Sequence, residues 1–215
     1  MSKFSLPTKG YIFGTILVGT ALLVWQLSHL ALVDLVFLLV VGALGALAQV
    51  LKGEGPTERS SYNISWVLYG FAFLLKGAPA ALFVIIIAHL VEWAWHRYPW
   101  YIQSFTIGSY AMVITLAGVI YQLIAGLHLP TGLPGLVAIL AASAVFTFVN
   151  HMAVGLVLRL ARGQSFTESG VFDRLTLAID FTLIGLGAAA VFIWLYNLYF
   201  FFFYDMAMNE IYTTL

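Results

Sequence analysis

Two kinds of residue are scarce in this sequence: cysteine is absent, and charged residues make up only 8% of the chain. The lack of cysteine excludes disulfide bonds, thiolate metal sites and cysteine nucleophiles. Soluble domains carry roughly 25% charged residues, so this composition cannot build a water-facing surface around a globular core. The nine basic residues balance nine acidic ones. They form no basic stripe, and nucleic acid is therefore not an expected partner.

Hydrophobic residues make up 62% of the chain, and most of them fall in long runs. The hydrocarbon core of a bilayer, about 30 Å thick, is crossed by roughly 20 helical residues. We therefore predict an all-α fold, a polytopic transmembrane bundle of about seven helices that forms one integral membrane domain over residues 1–215 in contact with the lipid bilayer. The predicted helices are residues 11–27, 32–51, 64–75, 80–95, 102–127, 136–158 and 175–203.

The positions of Lys and Arg predict the orientation of the bundle. The first apolar run is longer than a signal-peptide core and lacks a cleavage site, so we interpret it as a retained helix. With seven crossings and a cytoplasmic N-terminus, eight of the nine basic residues lie inside and only Lys76 lies outside. If the short segment 64–75 were re-entrant, the split would be five to four. We predict a multi-pass protein of the inner (plasma) membrane with a cytoplasmic N-terminus and an external C-terminus.

A layer of polar residues falls in the cytoplasmic half of this predicted membrane. Ionisable groups are costly in a bilayer and usually face the interior of a bundle. We predict that the layer converges there, with Asp180 or Glu92 pairing with His151 or His89. Gln49 ends the second helix at the same depth. The five candidate site residues come from three helices: His89, Glu92, Asn150, His151 and Asp180.

Three interpretations of this layer stay open at the level of sequence. The first is an interhelical hydrogen-bond network that fixes packing, and the second is a small-ligand or proton-responsive site. The third is a metal or cofactor site, since His89 and His151 on separate helices could ligate a haem; we predict no metal ligands and leave the cofactor unknown. The sequence has no Gly-rich phosphate loop and no HExxH motif, so we do not expect an enzyme.

Small residues four apart predict close helix contacts at two places. The two pairs are Gly42 with Ala46 and Gly185 with Ala189.

The stretch 62–172 resembles the multi-helix membrane domains at the N-termini of some bacterial HD-GYP phosphodiesterases and diguanylate cyclases. The resemblance rests on SSYNIS (60–65), Gly77-Ala78-Pro79, WYIQSF (100–105), Asn150 and GQSF (163–166). No HD or GGDEF output domain is present in the 215 residues. The resemblance implies a sensory or regulatory membrane module.

The leading functional prediction is therefore a non-catalytic module that senses or regulates through a polar pocket in the cytoplasmic half. One alternative is a structural accessory subunit of a larger respiratory or photosynthetic membrane complex, with partner subunits in the membrane. Another is a transporter-like binding component that uses the break at 77–79 as discontinuous helices do. The sensory function requires a wet or ligand-filled cavity between the fourth, sixth and seventh helices. The accessory function requires a dry interior and a large lipid-facing surface that partner chains cover.

Overall fold

The computed structural model describes the backbone of residues 1, 3–51, 53–54, 61–126 and 132–214. Side chains are described for residues 1, 3–51, 63–126 and 133–197. The α-helices are α1 (Leu6–Leu27), α2 (Leu35–Val50), α3 (Ser65–Lys76), α4 (Ala78–His96), α5 (Trp100–Ala125), α6 (Gly132–Arg162) and α7 (Arg174–Thr214). A 3-10 turn (Leu32–Asp34) precedes α2, and a two-residue antiparallel pair joins β1 (Gly53–Glu54) to β2 (Ser61–Tyr62).

The predicted all-α membrane bundle is confirmed. Six of the described helices are long and apolar enough to cross a membrane, and α3 is shorter. Their outward faces carry large apolar side chains such as Leu17, Val36 and Ile193, which are more than half exposed. A surface of this kind requires a lipid environment, so the chain is a multi-pass membrane protein.

Consecutive helices run in opposite directions, and the contacts of α1 show this at one end of the bundle. The Thr8 hydroxyl donates to the Leu160 carbonyl oxygen at 2.8 Å, and the Tyr11 hydroxyl donates to the Ala153 carbonyl oxygen at 3.1 Å. The Phe13 ring lies 6.4 Å from the Trp100 ring. The N-termini of α1 and α5 therefore lie beside the C-terminus of α6. We call this the basic end of the bundle, and the opposite end the Lys76 end.

Helix α3 runs between the two ends of α2. At the basic end, the Ser65 hydroxyl donates to Gln49 Oε1 at 2.8 Å. At the other end, Lys76 Nζ lies 2.8 Å from Asp34 Oδ1. The two ends of α3 are thus on opposite sides of the bundle, and α3 does not turn back on itself as a re-entrant segment would.

Gly77 is the single residue between α3 and α4. Its φ of +85° and ψ of −177° belong to a region that is open to glycine and strained for residues with a Cβ. The Tyr69 ring of α3, about two turns before Gly77, lies 6.4 Å from the His89 ring of α4, about three turns after it. The two helices therefore form an antiparallel hairpin, with Gly77 as its turn at the Lys76 end.

Basic residues are distributed unevenly between the two ends. Of the described Lys and Arg residues, only Lys76 belongs to the Lys76 end. Lys52 and Arg59 are outside the described residues. The six at the basic end are Lys3, Lys9, Arg97, Arg159, Arg162 and Arg174.

Several predicted helix ends are wrong. Helix α1 begins at Leu6 instead of residue 11, because Ser5 Oγ accepts from the Thr8 N–H at 3.4 Å and a proline occupies the first turn. Helices α6 and α7 continue beyond the apolar runs into polar sequence, to Arg162 and Thr214. Hydropathy identifies only the part of a helix that lies in lipid. The helix itself continues past the interface as long as its backbone hydrogen bonds continue, so its ends lie beyond the apolar run.

Close helix contacts occur at one of the two predicted pairs. An added Cβ on Gly42 would lie 2.7 Å from Ile87 Cδ1, so α2 does approach α4 there. On α7 the prediction is wrong: Gly185 has nothing within 4 Å of such a Cβ, whereas Gly187 would meet the Val67 carbonyl oxygen at 2.4 Å. Helix α7 therefore packs on α3 through a glycine two residues further along.

Candidate functional site

Glu92 is the centre of the first part of the polar layer. Its Oε2 accepts hydrogen bonds from Gln49 Nε2 at 3.0 Å, from Gln103 Nε2 at 3.0 Å and from His89 Nδ1 at 3.1 Å. The donors come from α2, α5 and α4, and Glu92 is only 3% exposed. His89 and Glu92 are three residues apart, so they share one face of α4. A buried carboxylate in this setting requires such donors, since an unpaired one would be strongly unfavourable.

Gln49 extends this cluster to α3. Its Oε1 accepts from the Ser65 hydroxyl at 2.8 Å and from the Tyr69 hydroxyl at 3.4 Å. Asn63 Nδ2 donates to the same oxygen, and the Ser65 hydroxyl also donates to Asn63 Oδ1. The network therefore joins α2, α3, α4 and α5 near the basic end.

His151 and Asp180 form the second part. His151 Nε2 lies 2.8 Å from Asp180 Oδ2, so that nitrogen carries the hydrogen and the carboxylate accepts it. The side chains are 8% and 11% exposed. The Phe172 and Trp66 rings lie 6.1 Å and 6.2 Å from the imidazole and cover it. This hydrogen bond connects α6 to α7.

A tryptophan–tyrosine contact joins the two parts. Trp66 Nε1 donates to the Tyr110 hydroxyl at 2.9 Å. The Tyr110 ring lies 5.2 Å from the His89 ring, and the Trp66 ring meets His151 edge-on at 6.2 Å. The Tyr110 ring therefore packs against His89 of the first pair, and the Trp66 ring packs against His151 of the second.

The structure thus brings four of the five predicted residues into two pairs, Glu92 with His89 and Asp180 with His151, as the sequence predicted. The fifth, Asn150, is 8% exposed, but its side chain makes no hydrogen bond to the described part of the chain. Whether the five residues form a ligand site stays a prediction.

Three further polar atoms in this region are buried without a hydrogen-bond partner among the described residues. They are His89 Nε2, Ser109 Oγ and Thr147 Oγ1, on α4, α5 and α6. The His89 imidazole thus uses one nitrogen on Glu92 and leaves the other unpaired.

Sequence reasoning missed Gln103, Tyr110 and Trp66. Each is uncharged and stands inside an apolar run, where neither charge nor depth marks it. Only the rotation of its helix turns it inward, and that depends on tertiary packing. A weak signal existed for Gln103, because a primary amide in an apolar helix needs a hydrogen-bond partner.

The geometry does not fit a haem between His89 and His151. The hydrogen-bonded rings of Trp66 and Tyr110 lie between the two histidines and occupy the space that the macrocycle would need. No group of three or more His, Asp or Glu side chains suited to a metal ion occurs in the parts of the chain that the structure describes.

The cavities of the described bundle include an apolar crevice and a larger open one. The smaller, about 20 Å³, is an apolar crevice against Tyr69, Phe146 and Ile184. The larger, about 580 Å³, lies at the Lys76 end beside the Gly77 turn, far from the polar layer. The polar layer itself is filled with aromatic rings.

No protein-family model, curated protein sequence or solved structure matches this chain.

Proposed function

We propose that this protein is a regulatory or sensory membrane module that responds to protonation at the His151–Asp180 pair. The observation that carries the proposal is the position of this buried pair. It provides the only side-chain hydrogen bond between α6 and α7 among the described residues. A change in its strength therefore acts directly on the contact between two transmembrane helices.

The physical basis is the difference between the protonation states of the pair. A neutral imidazole donates one ordinary charge-assisted hydrogen bond to the carboxylate, whereas an imidazolium forms an ion pair with it. Histidine is the side chain whose charge changes near neutral pH. The other groups that face the pair are Trp66 from α3, Tyr110 from α5 and Phe172 from the loop before α7. None of these three side chains is charged at neutral pH, so none of them forms a competing ion pair with His151 or Asp180.

The packing of α7 supports a helix movement. Helix α7 packs mainly on α3, and its interface with α6 is smaller. Gly187 and Gly70 make the α3 contact close, with little room for change there. The interface between α6 and α7 is smaller, so the His151–Asp180 hydrogen bond contributes a larger fraction of the interactions that hold these two helices together.

The distribution of charge supports the orientation and location that belong to this proposal. Six described basic residues surround the basic end, and one lies at the other end. Cytoplasmic loops carry the excess of Lys and Arg, so the basic end with the N-terminus faces the cytoplasm of a bacterial inner membrane. The His151–Asp180 pair lies near that end and responds to cytoplasmic pH. The resemblance to the membrane domains of HD-GYP phosphodiesterases and diguanylate cyclases favours the same class of function.

The test measures the separation of α6 and α7 as a function of pH. Cysteine is absent, so spin labels can be placed at Met152 on α6 and Leu175 on α7, which are 39% and 50% exposed and lie near the His151–Asp180 pair. We expect the distance between the labels to differ between about pH 5 and pH 8 in lipid vesicles. Asp180→Asn abolishes this dependence while the protein stays folded. Asp173→Asn, the same change at an exposed site before α7, preserves it.

A labelled protein whose distance distribution is the same across this pH range would contradict the proposal. If Asp180→Asn lowers thermal stability and the pH dependence is unchanged, the pair is a structural element only.

The second candidate function is a structural accessory subunit, and the filled interior favours it. Trp66, Tyr69, Tyr110 and Phe146 occupy the space among the helices at the polar layer. Co-purification without crosslinking, followed by mass spectrometry, distinguishes the two: a stoichiometric partner subunit supports the accessory role. The transporter-like alternative loses its structural motif, since the break at Gly77 is a turn between antiparallel helices instead of an interruption within one crossing.

A further inference from the structure

A cavity of the described bundle opens at the Lys76 end and belongs to no part of the polar layer. It has a volume of about 580 Å³, within the range of roughly 300–1,000 Å³ that small-molecule sites occupy. Its walls are the C-terminal turns of α1, α3 and α5 and the first residues of α4. The Gly77 turn forms one edge. Because α3 ends there and α4 starts again at once, the two helices leave a gap beside α1 and α5.

One polar side chain in the wall is almost fully buried. Gln26 is 8% exposed, and its Nε2 donates to Thr115 Oγ1 at 3.2 Å. Its Oε1 makes no hydrogen bond to the described residues and borders the cavity. An amide oxygen in the wall of a cavity can accept a hydrogen bond from a molecule that enters it. The Thr115–Gln26 pair therefore gives the cavity one fixed polar point.

The rest of the wall is largely aromatic and aliphatic. The rings of Trp25, Phe73 and Tyr121 and the side chain of Val119 line it. Trp25 is 53% exposed and Val119 is 45% exposed, so the cavity opens on the outer, lipid-facing side of the bundle. A molecule dissolved in the membrane therefore has direct access.

Charge complementarity excludes an ion as the natural occupant. Lys76 is the only Lys, Arg, Asp or Glu among the described lining residues. It is already paired with Asp34 at 2.8 Å, so no uncompensated charge faces the cavity. His29 donates from Nδ1 to the Trp25 carbonyl oxygen at 2.8 Å.

We propose that this cavity binds a small uncharged amphipathic molecule that enters from the membrane, donates a hydrogen bond to Gln26 Oε1 and packs its apolar part against Trp25, Phe73 and Tyr121. The site is separate from the His151–Asp180 pair, so the two proposals stand or fall independently.

The experiment uses azioctanol, an uncharged photoreactive alcohol, with the full chain in lipid nanodiscs. Irradiation followed by peptide mass spectrometry locates the adducts. We expect adducts on the cavity wall, around residues 25, 73 and 121, that excess octanol competes away. Gln26→Leu keeps the side-chain volume and removes the hydrogen bond, so it lowers the saturable labelling about five-fold. Leu39→Met, a comparable change on a lipid-facing site 49% exposed, leaves it unchanged.

Two results would overturn the proposal. Adducts spread over all lipid-facing helices and insensitive to octanol would show partition into lipid only. Equal or stronger saturable labelling by the corresponding photoreactive carboxylate would show that the site selects an anion. Labelling is compared only for variants whose thermal unfolding matches that of the wild type, so that a loss of labelling is separated from a loss of folding. Thr115→Val, which removes the partner that orients the amide, is the second variant.

Discussion

The Trp66–Tyr110 contact is the residue-scale feature that connects the two histidine–carboxylate pairs. Trp66 is 4% exposed and Tyr110 is 5% exposed, so the hydrogen bond between them is shielded from water and lipid. The Tyr110 ring also packs against His89, and the Trp66 ring packs against His151. Loss of this contact affects both pairs at once.

Trp66→Phe removes the indole N–H that the Tyr110 hydroxyl accepts. We expect the free energy of unfolding to fall by about 1–3 kcal/mol, because the buried hydroxyl is left without its partner. Thermal unfolding in detergent, followed by near-ultraviolet circular dichroism, measures the change. Trp95→Phe is the matched control at a position 71% exposed, and we expect little effect there. Equal shifts in the two variants would show that the bond is not a determinant of stability.

Gly187→Ala tests the contact between α7 and α3. The new Cβ would lie 2.4 Å from the Val67 carbonyl oxygen and 2.9 Å from the Phe71 nitrogen, both of which are backbone atoms. Because α3 must move to make room, we expect a loss of about 1–3 kcal/mol in thermal unfolding. Gly185→Ala is the control: it has no neighbour within 4 Å. That variant is neutral or gains up to about 1 kcal/mol from helix propensity. The reverse order of the two variants would contradict this packing.

The same residues show how far the sequence predicted the site. The sequence predicted that Asp180 or Glu92 pairs with His151 or His89, because charge and depth restrict an ionisable group in a bilayer to few partners. Only the structure shows which carboxylate pairs with which histidine. The sequence could not show whether Gly185 or Gly187 makes the close contact, because which of them faces α3 depends on the rotation of α7 in the folded bundle. Asn150 shared the depth of the layer, yet its side chain does not join either pair.

At the scale of elements, the loop between α6 and α7 contains a reciprocal capping arrangement. Glu168 Oε2 accepts from the Ser165 N–H at 2.8 Å and from the Ser165 hydroxyl at 2.8 Å. The Glu168 N–H donates to Ser165 Oγ at 3.2 Å. The Ser165 backbone bond, followed by the hydroxyl bond, lowers the pKa of Glu168 below its ordinary value of 4.5.

This lowered pKa fixes the pH range in which the cap stabilises the loop. The stabilisation of the loop by the ionised Glu168 carboxylate is fully present above the ordinary pKa of 4.5. It is lost as the pH falls through the lower pKa of the folded loop. An NMR titration of the Glu168 carboxyl carbon measures it. We expect Ser165→Ala to raise the pKa only part of the way towards 4.5, because the Ser165 backbone N–H, the larger cause, is kept. Thr167→Ala leaves the pKa lowered. A pKa that is unchanged by Ser165→Ala would show that the Ser165 hydroxyl makes no contribution.

The elements also show which parts of the fold follow from hydropathy. Long apolar runs located all the helices, because only a helix satisfies its backbone groups in lipid. Segment 64–75 was ambiguous, since its length of about 18 Å suits either a short crossing or a return. The contacts of Ser65 with Gln49 and of Lys76 with Asp34 decide between them, and both depend on the position of α2.

At the scale of the whole molecule, the seven α-helices of the described residues alternate in direction, and from α2 onward each helix packs against the next. An odd number of crossings places the start of α1 and the end of the α7 span on opposite sides. The basic end collects the described positive charges and also lies close to both histidine–carboxylate pairs. Orientation in the membrane therefore determines which compartment the polar layer faces.

The most direct test of this account is the side from which two single cysteines react with a membrane-impermeant maleimide. The chain has no cysteine of its own, so Lys76→Cys reports the Lys76 end and Thr167→Cys reports the loop between α6 and α7. We expect Lys76→Cys to be labelled only from outside intact cells, and Thr167→Cys only in inverted membrane vesicles. Labelling of both from the same side would contradict the alternating seven-crossing bundle and the cytoplasmic position of its polar layer.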